Sequence, residues 1–109
     1  MEAQVIKWQE TCVPQEQDLR KRMQEQGLSP YCWSNGPGDY YAIHSHSYEK
    51  VLYCVRGSIR FTLHDQSNAI NATEDLDLSS GDCIILPAGT RHSAQVGSQG
   101  VTCLEAAHV

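Results

Sequence analysis

Three of the chain's five histidines fall in stretches whose spacing can do chemistry. His44 and His46 are separated only by Ser45. On a β-strand, residues at i and i+2 point to the same face, because side chains alternate with a period of two. One face there presents two imidazoles. Alone, such a pair is more often two ordinary polar strand residues than a metal site, since His serves surfaces as well as metals. A second stretch changes the weighing: Gly81-Asp-Cys-Ile-Ile-Leu-Pro87-Ala-Gly89-Thr-Arg-His92 is a short apolar run closed by a Pro-Ala-Gly turn. It delivers His92 directly after the turn. Three imidazoles brought together make a site for a divalent transition metal with open positions, and this donor set fits Fe(II), Zn, Mn, Ni or Cu.

The elements that must position these residues are mostly strands. From Leu28 onward, short apolar stretches are punctuated by Asn35-Gly-Pro-Gly38, Arg56-Gly57, Asp65-Gln-Ser-Asn68, Ser79-Ser-Gly81, Pro87-Ala-Gly89 and Gly97-Ser-Gln-Gly100. That rhythm predicts an all-β sandwich or barrel. Ile59, Phe61 and Leu63 alternate with Ser58, Arg60 and Thr62, so the first set faces the core and the second faces solvent. Cys83-Ile-Ile-Leu86 is apolar on both parities and needs cover on both faces, from layered sheets, an N-terminal flap or a subunit contact. Residues 64–77 read as a loop and a short edge strand carrying four acidic residues. Ahead of the strands, residues 3–8 read as a short strand and Pro14 to Gln26 as a helix that Gly27 stops. Only Leu19 and Met23 are placed as an apolar stripe on that helix, which is therefore expected on the barrel surface and not in its core. Its pairs Glu16 with Arg20 and Asp18 with Arg22 are spaced to bridge one turn.

Length and charge narrow the functional classes. With 109 residues the chain has room for one domain and a modest core. We expect residues 1–27 to form an appended strand and helix and 28–109 the barrel. Lys plus Arg number 8 against 13 Asp plus Glu, a net charge of −5. Without a clustered basic surface, nucleic acid is not an expected partner. No window reaches the roughly 18 apolar residues of a membrane helix, and Met-Glu-Ala-Gln-Val-Ile-Lys-Trp-Gln-Glu lacks the order of a signal peptide. A cytoplasmic protein is expected. In that compartment the five cysteines, with no Cys-x-x-Cys pair among them, read as small buried apolar residues. Cys54, sharing parity with Lys50 and Leu52, is expected to face the barrel interior. Asn71-Ala-Thr73 matches a glycosylation acceptor, which carries no meaning without secretion.

The two histidine stretches resemble the cupins, a family of small jelly-roll barrels. Gly38, His44, His46 and Gly57 fall on the family's first motif, G-x5-H-x-H-x3/4-E-x6-G, and Gly81, Pro87, Gly89 and His92 on its second, G-x5-P-x-G-x2-H-x3-N. The resemblance implies a single antiparallel jelly-roll barrel, a metal on His44, His46 and His92, a small-molecule ligand and a homodimer. The two-sided strand Cys83 to Leu86 points to the homodimer as well. Two positions depart from the pattern. Where the family carries its ligand glutamate this chain has Lys50, with Glu49 one residue too early, and Val96 replaces the closing Asn.

Losing the glutamate alters the chemistry. Neutral imidazoles leave a divalent ion its full charge, so its open positions favour anionic ligands such as carboxylates, enolates or hydroxide. A protonated Lys50 cannot ligate. At about 6 Å and an effective dielectric of 20 its repulsion of the divalent ion would be about 5–6 kcal/mol. Lys50 must therefore turn away, lose its proton or pair with a bound anion. Three classes stay open on these residues: a metal-dependent dioxygenase, isomerase or decarboxylase acting on a small carboxylated or dicarbonyl compound, with Lys50 assisting in catalysis; a non-catalytic cupin that binds a metal or small anion; and a metal-free barrel in which Lys50 replaces the site. Elsewhere, His64 and His108 are expected at the surface, and Arg91 is expected to point away from His92. Tyr40, sharing parity with His44 and His46, is expected to line the cavity. Trp8 and Trp33 are read as core or interface anchors.

Overall fold

The computed structural model describes residues 2–64 and 73–108. In chain order these form β1 (Gln4–Ile6), α1 (Glu16–Glu25), β2 (Tyr31–Asn35), β3 (Tyr40–His44), β4 (Glu49–His64), β5 (Thr73–Ser79), β6 (Cys83–Leu86) and β7 (His92–His108). All pairings are antiparallel, in the order β1-β6-β4-β7-β2, with β3 added to β7 and β5 to β4. Of the expected loop and edge strand at 64–77, the strand is β5 and the residues between it and β4 lie outside the described ones, as do Asn71 and Ala72. No helix among the described residues is long and apolar enough to cross a membrane.

Two strands run too far for one flat sheet. The first half of β4 pairs with β6 and the second half with β5, while β7 follows β4 through both halves. The ladder is irregular between Cys54 and Arg56 and again between Gly57 and Ile59, and such bulges bend a strand and sharpen its twist. Gly57 makes the bend possible. Its φ is 81°, in the left-handed region, and a Cβ there would collide with the backbone of Gly100 on β7. The sheet thereby curls over itself into the jelly-roll barrel.

Inside it, Leu52, Cys54, Ile59, Phe61, Ile84 and Leu86 form part of one buried cluster. Ile59 and Phe61 are inside and Arg60 outside, as their alternation predicts, and Cys54 faces inward. A second cluster lies on the other side of the sheet. There Leu19 and Met23 of α1 are fully buried against Val51, Tyr53, Val55, Cys83 and Leu104. The helix lies outside the barrel's inner cluster, as expected, but its two apolar residues seal a second cluster there, because they meet a sheet face that is itself apolar. The two sides of β6 are covered accordingly, Ile84 and Leu86 by the inner cluster and Cys83 and Ile85 by the outer. Of the three expected sources of cover, layered strands supply the inner face and the N-terminal segment the outer, so β6 gives no argument for a second copy.

The helix is held by some of the expected pairs. Arg20 lies 2.9 Å from Glu16. Arg22, however, reaches Glu10 at 2.6 Å instead of Asp18 and lies over the Trp8 ring. The buried Asp82 carboxylate accepts hydrogen bonds from the Trp8 and Ser79 backbone and from Lys7 Nζ, tying the N-terminal segment to the turn before β6.

The bend at Gly57 carries a prediction. Gly57→Ala should cost about 3 kcal/mol or more, from left-handed strain plus collision with Gly100. Gly38 also has a positive φ, of 76°, but a Cβ there meets nothing within 4 Å. Gly38→Ala should cost only about 1–2 kcal/mol. Urea unfolding of both variants gives the comparison, and equal losses would remove the role assigned to the close approach.

Candidate metal centre

Antiparallel pairing of β3 with β7 sets His44 directly opposite His92, with ring centroids 4.3 Å apart. Beyond β3 the chain leaves the ladder, and the carbonyl of His46 accepts a hydrogen bond from the Gly89 N–H at 2.8 Å. The Pro-Ala-Gly turn that delivers His92 thus also fixes His46. The His46 ring lies 4.9 Å from that of His44 and 5.4 Å from that of His92. One nitrogen from each ring falls in a cluster whose members are all within 4.8 Å of one another. His64 and His108 lie elsewhere, His64 bonded to Ser93 and His108 to Glu49. Glu49 therefore points out of the cavity, and Arg91 is exposed as expected.

Hydrogen bonding decides which nitrogens face inward. Nδ1 of His44 lies 2.7 Å from the Ala42 carbonyl and Nδ1 of His92 lies 2.9 Å from that of Thr90. A carbonyl can only accept, so each Nδ1 carries the proton and each Nε2 keeps its lone pair. Such second contacts are those that orient metal-bound histidines. Nε2 of His46 and Nε2 of His92 are buried without a hydrogen-bond partner among the described residues. A buried polar atom left this way costs about 1–3 kcal/mol. The arrangement has the donor set and inward lone pairs that a divalent ion requires. Burial, with lesser contributions from the other imidazoles and Lys50, pushes His92 down to about 4. Burial and then Lys50 lower His46 as well. Both rings are neutral near pH 7, the form that ligates.

The imidazoles open onto a cavity of about 320 Å³ whose wall includes Trp33, Tyr41, Ile59 and Phe61. Tyr40 does not line it and is 62% exposed. The register of β3 shifts between Tyr41 and His44, so the alternation that would have placed Tyr40 beside His44 is broken and Tyr41 enters in its place. Tyr41 donates its hydroxyl hydrogen bond to Asn35. Of the two tryptophans, Trp33 serves the cavity and Trp8 packs against the outer cluster. Cys54, Cys83 and Cys103 are buried as expected, but Cys12 and Cys32 are exposed, because neither lies on an inward strand position.

Lys50 points into the cavity and is only 8% exposed. None of the three expected options describes it, because its counter-charge is a carboxylate of the protein itself. Nζ lies 3.2 Å from the Glu105 carboxylate, which is 6% exposed. Glu105 also accepts hydrogen bonds from the Tyr31 hydroxyl at 2.7 Å and from Trp33 Nε1 at 3.1 Å. Sequence reasoning missed Glu105. A signal was present, since it is the one charge in Val101-Thr-Cys-Leu-Glu-Ala-Ala107 and shares parity with Val101 and Cys103, both in the inner cluster.

A buried ion pair is sensitive to the loss of one member, because the other charge stays buried and uncompensated. Glu105→Ala strands Lys50, Tyr31 and Trp33 together and should lower stability by about 3–5 kcal/mol. Removing Asp77, whose pair with Arg60 is exposed, should cost under about 1 kcal/mol. Denaturant titration of the two variants separates these cases. A Glu105→Ala loss as small as the surface one would contradict a desolvated pair.

Comparison with solved structures places this geometry. A tryptophan-to-tyrosine variant of Bacillus subtilis oxalate decarboxylase matches with TM-score 0.64 and 26% identity, over 73% of this chain and 20% of the other. The Lactobacillus farciminis oxalate decarboxylase formate complex matches with TM-score 0.61 and 27% identity, over 74% of this chain and 23% of the other. The cupin domain of Drosophila melanogaster CENP-C shares the fold at TM-score 0.64 but with 15% identity, over 72% of this chain and 59% of the other. The chain thus spans about a fifth of the decarboxylases it resembles. No curated protein matches it. A family model described as a cupin domain matches residues 33–104, from Trp33 at the cavity wall through both histidine stretches, and the chain belongs to the cupin family.

Proposed function

We propose that His44, His46 and His92 hold a divalent transition metal through Nε2, and that the ion binds a small carboxylate or dicarbonyl compound in its open positions. The observation that carries this reading is the pair of buried, unpartnered Nε2 atoms on His46 and His92. A metal-free barrel would retain their desolvation cost without compensation. Lys50 no longer stands against the metal, because Glu105 offsets its charge and the ion's +2 becomes the net charge of the pocket. When bound, the ion supplies Lewis acidity, polarising ligand oxygens and making its water more acidic. The chain's own residues do the rest. Trp33, Tyr41 and Phe61 limit water at the cavity wall, and Thr90 and Ala42 keep two imidazoles in the ligating tautomer.

Among the chemistries implied by the sequence, decarboxylation of a small acid gains support over dioxygenation and isomerisation. The two oxalate decarboxylases resembled here include one described with Mn(II) centres and one in complex with formate. Non-catalytic binding of the same class of anion uses the same residues and is the second reading.

Metal analysis of untagged protein tests the assignment. His44→Ala, His46→Ala and His92→Ala should each cut bound metal at least about tenfold, the scale on which disturbing a metal's surroundings already acts. His64→Ala and His108→Ala should retain it. Equal metal content in all five variants would overturn the proposal.

A further inference from the structure

We propose that Lys50 is a second anchoring point for the ligand, so that the pocket selects small acids with an oxygen group at each end over acids with one. This rests on the metal reading above and adds the ligand's shape to it.

The argument starts from an imbalance between the two members of the ion pair. Glu105 is well supplied, its two oxygens facing three donors, from Tyr31, Trp33 and Lys50. Lys50 carries three N–H donors, and among the described residues Glu105 is its one ion-pair partner. Its remaining donors have the cavity before them, because Lys50 is one of the lining residues and is itself nearly enclosed. Fold stability gives no reason for such a pair, since apolar residues of similar volume commonly do as well or better. Glu105 instead accounts for how an ammonium group is held still beside the three imidazoles.

Charge and shape then define the ligand. With a divalent ion in place, the pocket carries +2 from the metal, +1 from Lys50 and −1 from Glu105. A monocarboxylate leaves it positive. A dicarboxylate brings it to neutrality, one carboxylate on the ion and the other on Lys50, with each desolvated charge paired. Between the two polar ends the wall offers Trp33, Tyr41, Phe61 and Ala94, which suit a short hydrocarbon segment. A volume of about 320 Å³ admits a chain of a few carbons and little more.

Succinate and butyrate test this, having the same number of carbons and differing in one terminal group. Each is titrated calorimetrically into the full chain loaded with Zn(II), with zinc content measured on the same samples. The intact protein should bind succinate about tenfold more tightly than butyrate, the worth of one charge-assisted contact. In Lys50→Met that ratio should fall toward unity, and Lys50→Arg should restore much of it. The double variant Lys50→Met/Glu105→Gln guards against misfolding from a stranded carboxylate. It also leaves the pocket's net charge unchanged, so loss of the preference there reports the contact and not the field. A double variant that keeps the intact protein's ratio, or an intact protein with no preference, would overturn the proposal with the metal centre still standing. Absence of zinc from the intact protein would overturn the metal reading, and this inference with it.

Discussion

The pocket depends on one close approach, that of the Gly57 backbone to Gly100, which lets β4 and β7 bend together. Fully extended, the stretch of β7 from His92 to Glu105 would span about 40 Å. Both residues nonetheless line the same cavity. The same bend brings the start of β4, with Lys50, over the later part that carries Ile59 and Phe61. A residue with a Cβ at position 57 cannot occupy this space. The site is thus a property of two curved strands more than of any loop, which suits a constellation that must be held to within a fraction of an ångström.

How much of this was legible in the sequence depended on the range of the interaction. The Pro-Ala-Gly turn and the alternation through Ile59 and Phe61 are local, and the structure places them as read; His44 and His46 do come together, but His46 lies beyond the end of β3 and not on one strand with His44. Tyr40 failed because a period of two holds only until a bulge, and the shift between Tyr41 and His44 exchanges which tyrosine faces inward. The helix lies outside the barrel's inner cluster as read, but the second cluster it seals was not legible. Leu19 and Met23 are few, but their burial is decided by Val51, Tyr53 and Leu104 on strands far along the chain. Glu105 is the most instructive miss. Its inward parity was readable, yet its meaning required knowing that Lys50 faces it across the ladder between β4 and β7.

Desolvation links the histidines to the ion pair. The barrel interior disfavours charge, which keeps His46 and His92 neutral and available. The same interior would penalise Lys50 if Glu105 did not face it. The loss of the family's usual carboxylate at position 50 is therefore accompanied by a carboxylate on a different strand. Negative charge remains in the cavity, but it is spent on Lys50 and not on the metal. A divalent ion held there would be more electropositive than one in a site with the glutamate, beside an ammonium fixed in place.

The central claim, that three Nε2 atoms converge on one divalent ion, is tested most directly by anomalous diffraction from crystals of the metal-loaded protein. The account predicts a single strong peak about 2.0–2.3 Å from Nε2 of His44, His46 and His92, with the Nδ1 atoms of His44 and His92 still on their carbonyl partners. A peak at His64, His108 or the exposed cysteines, with none among the three imidazoles, would contradict it.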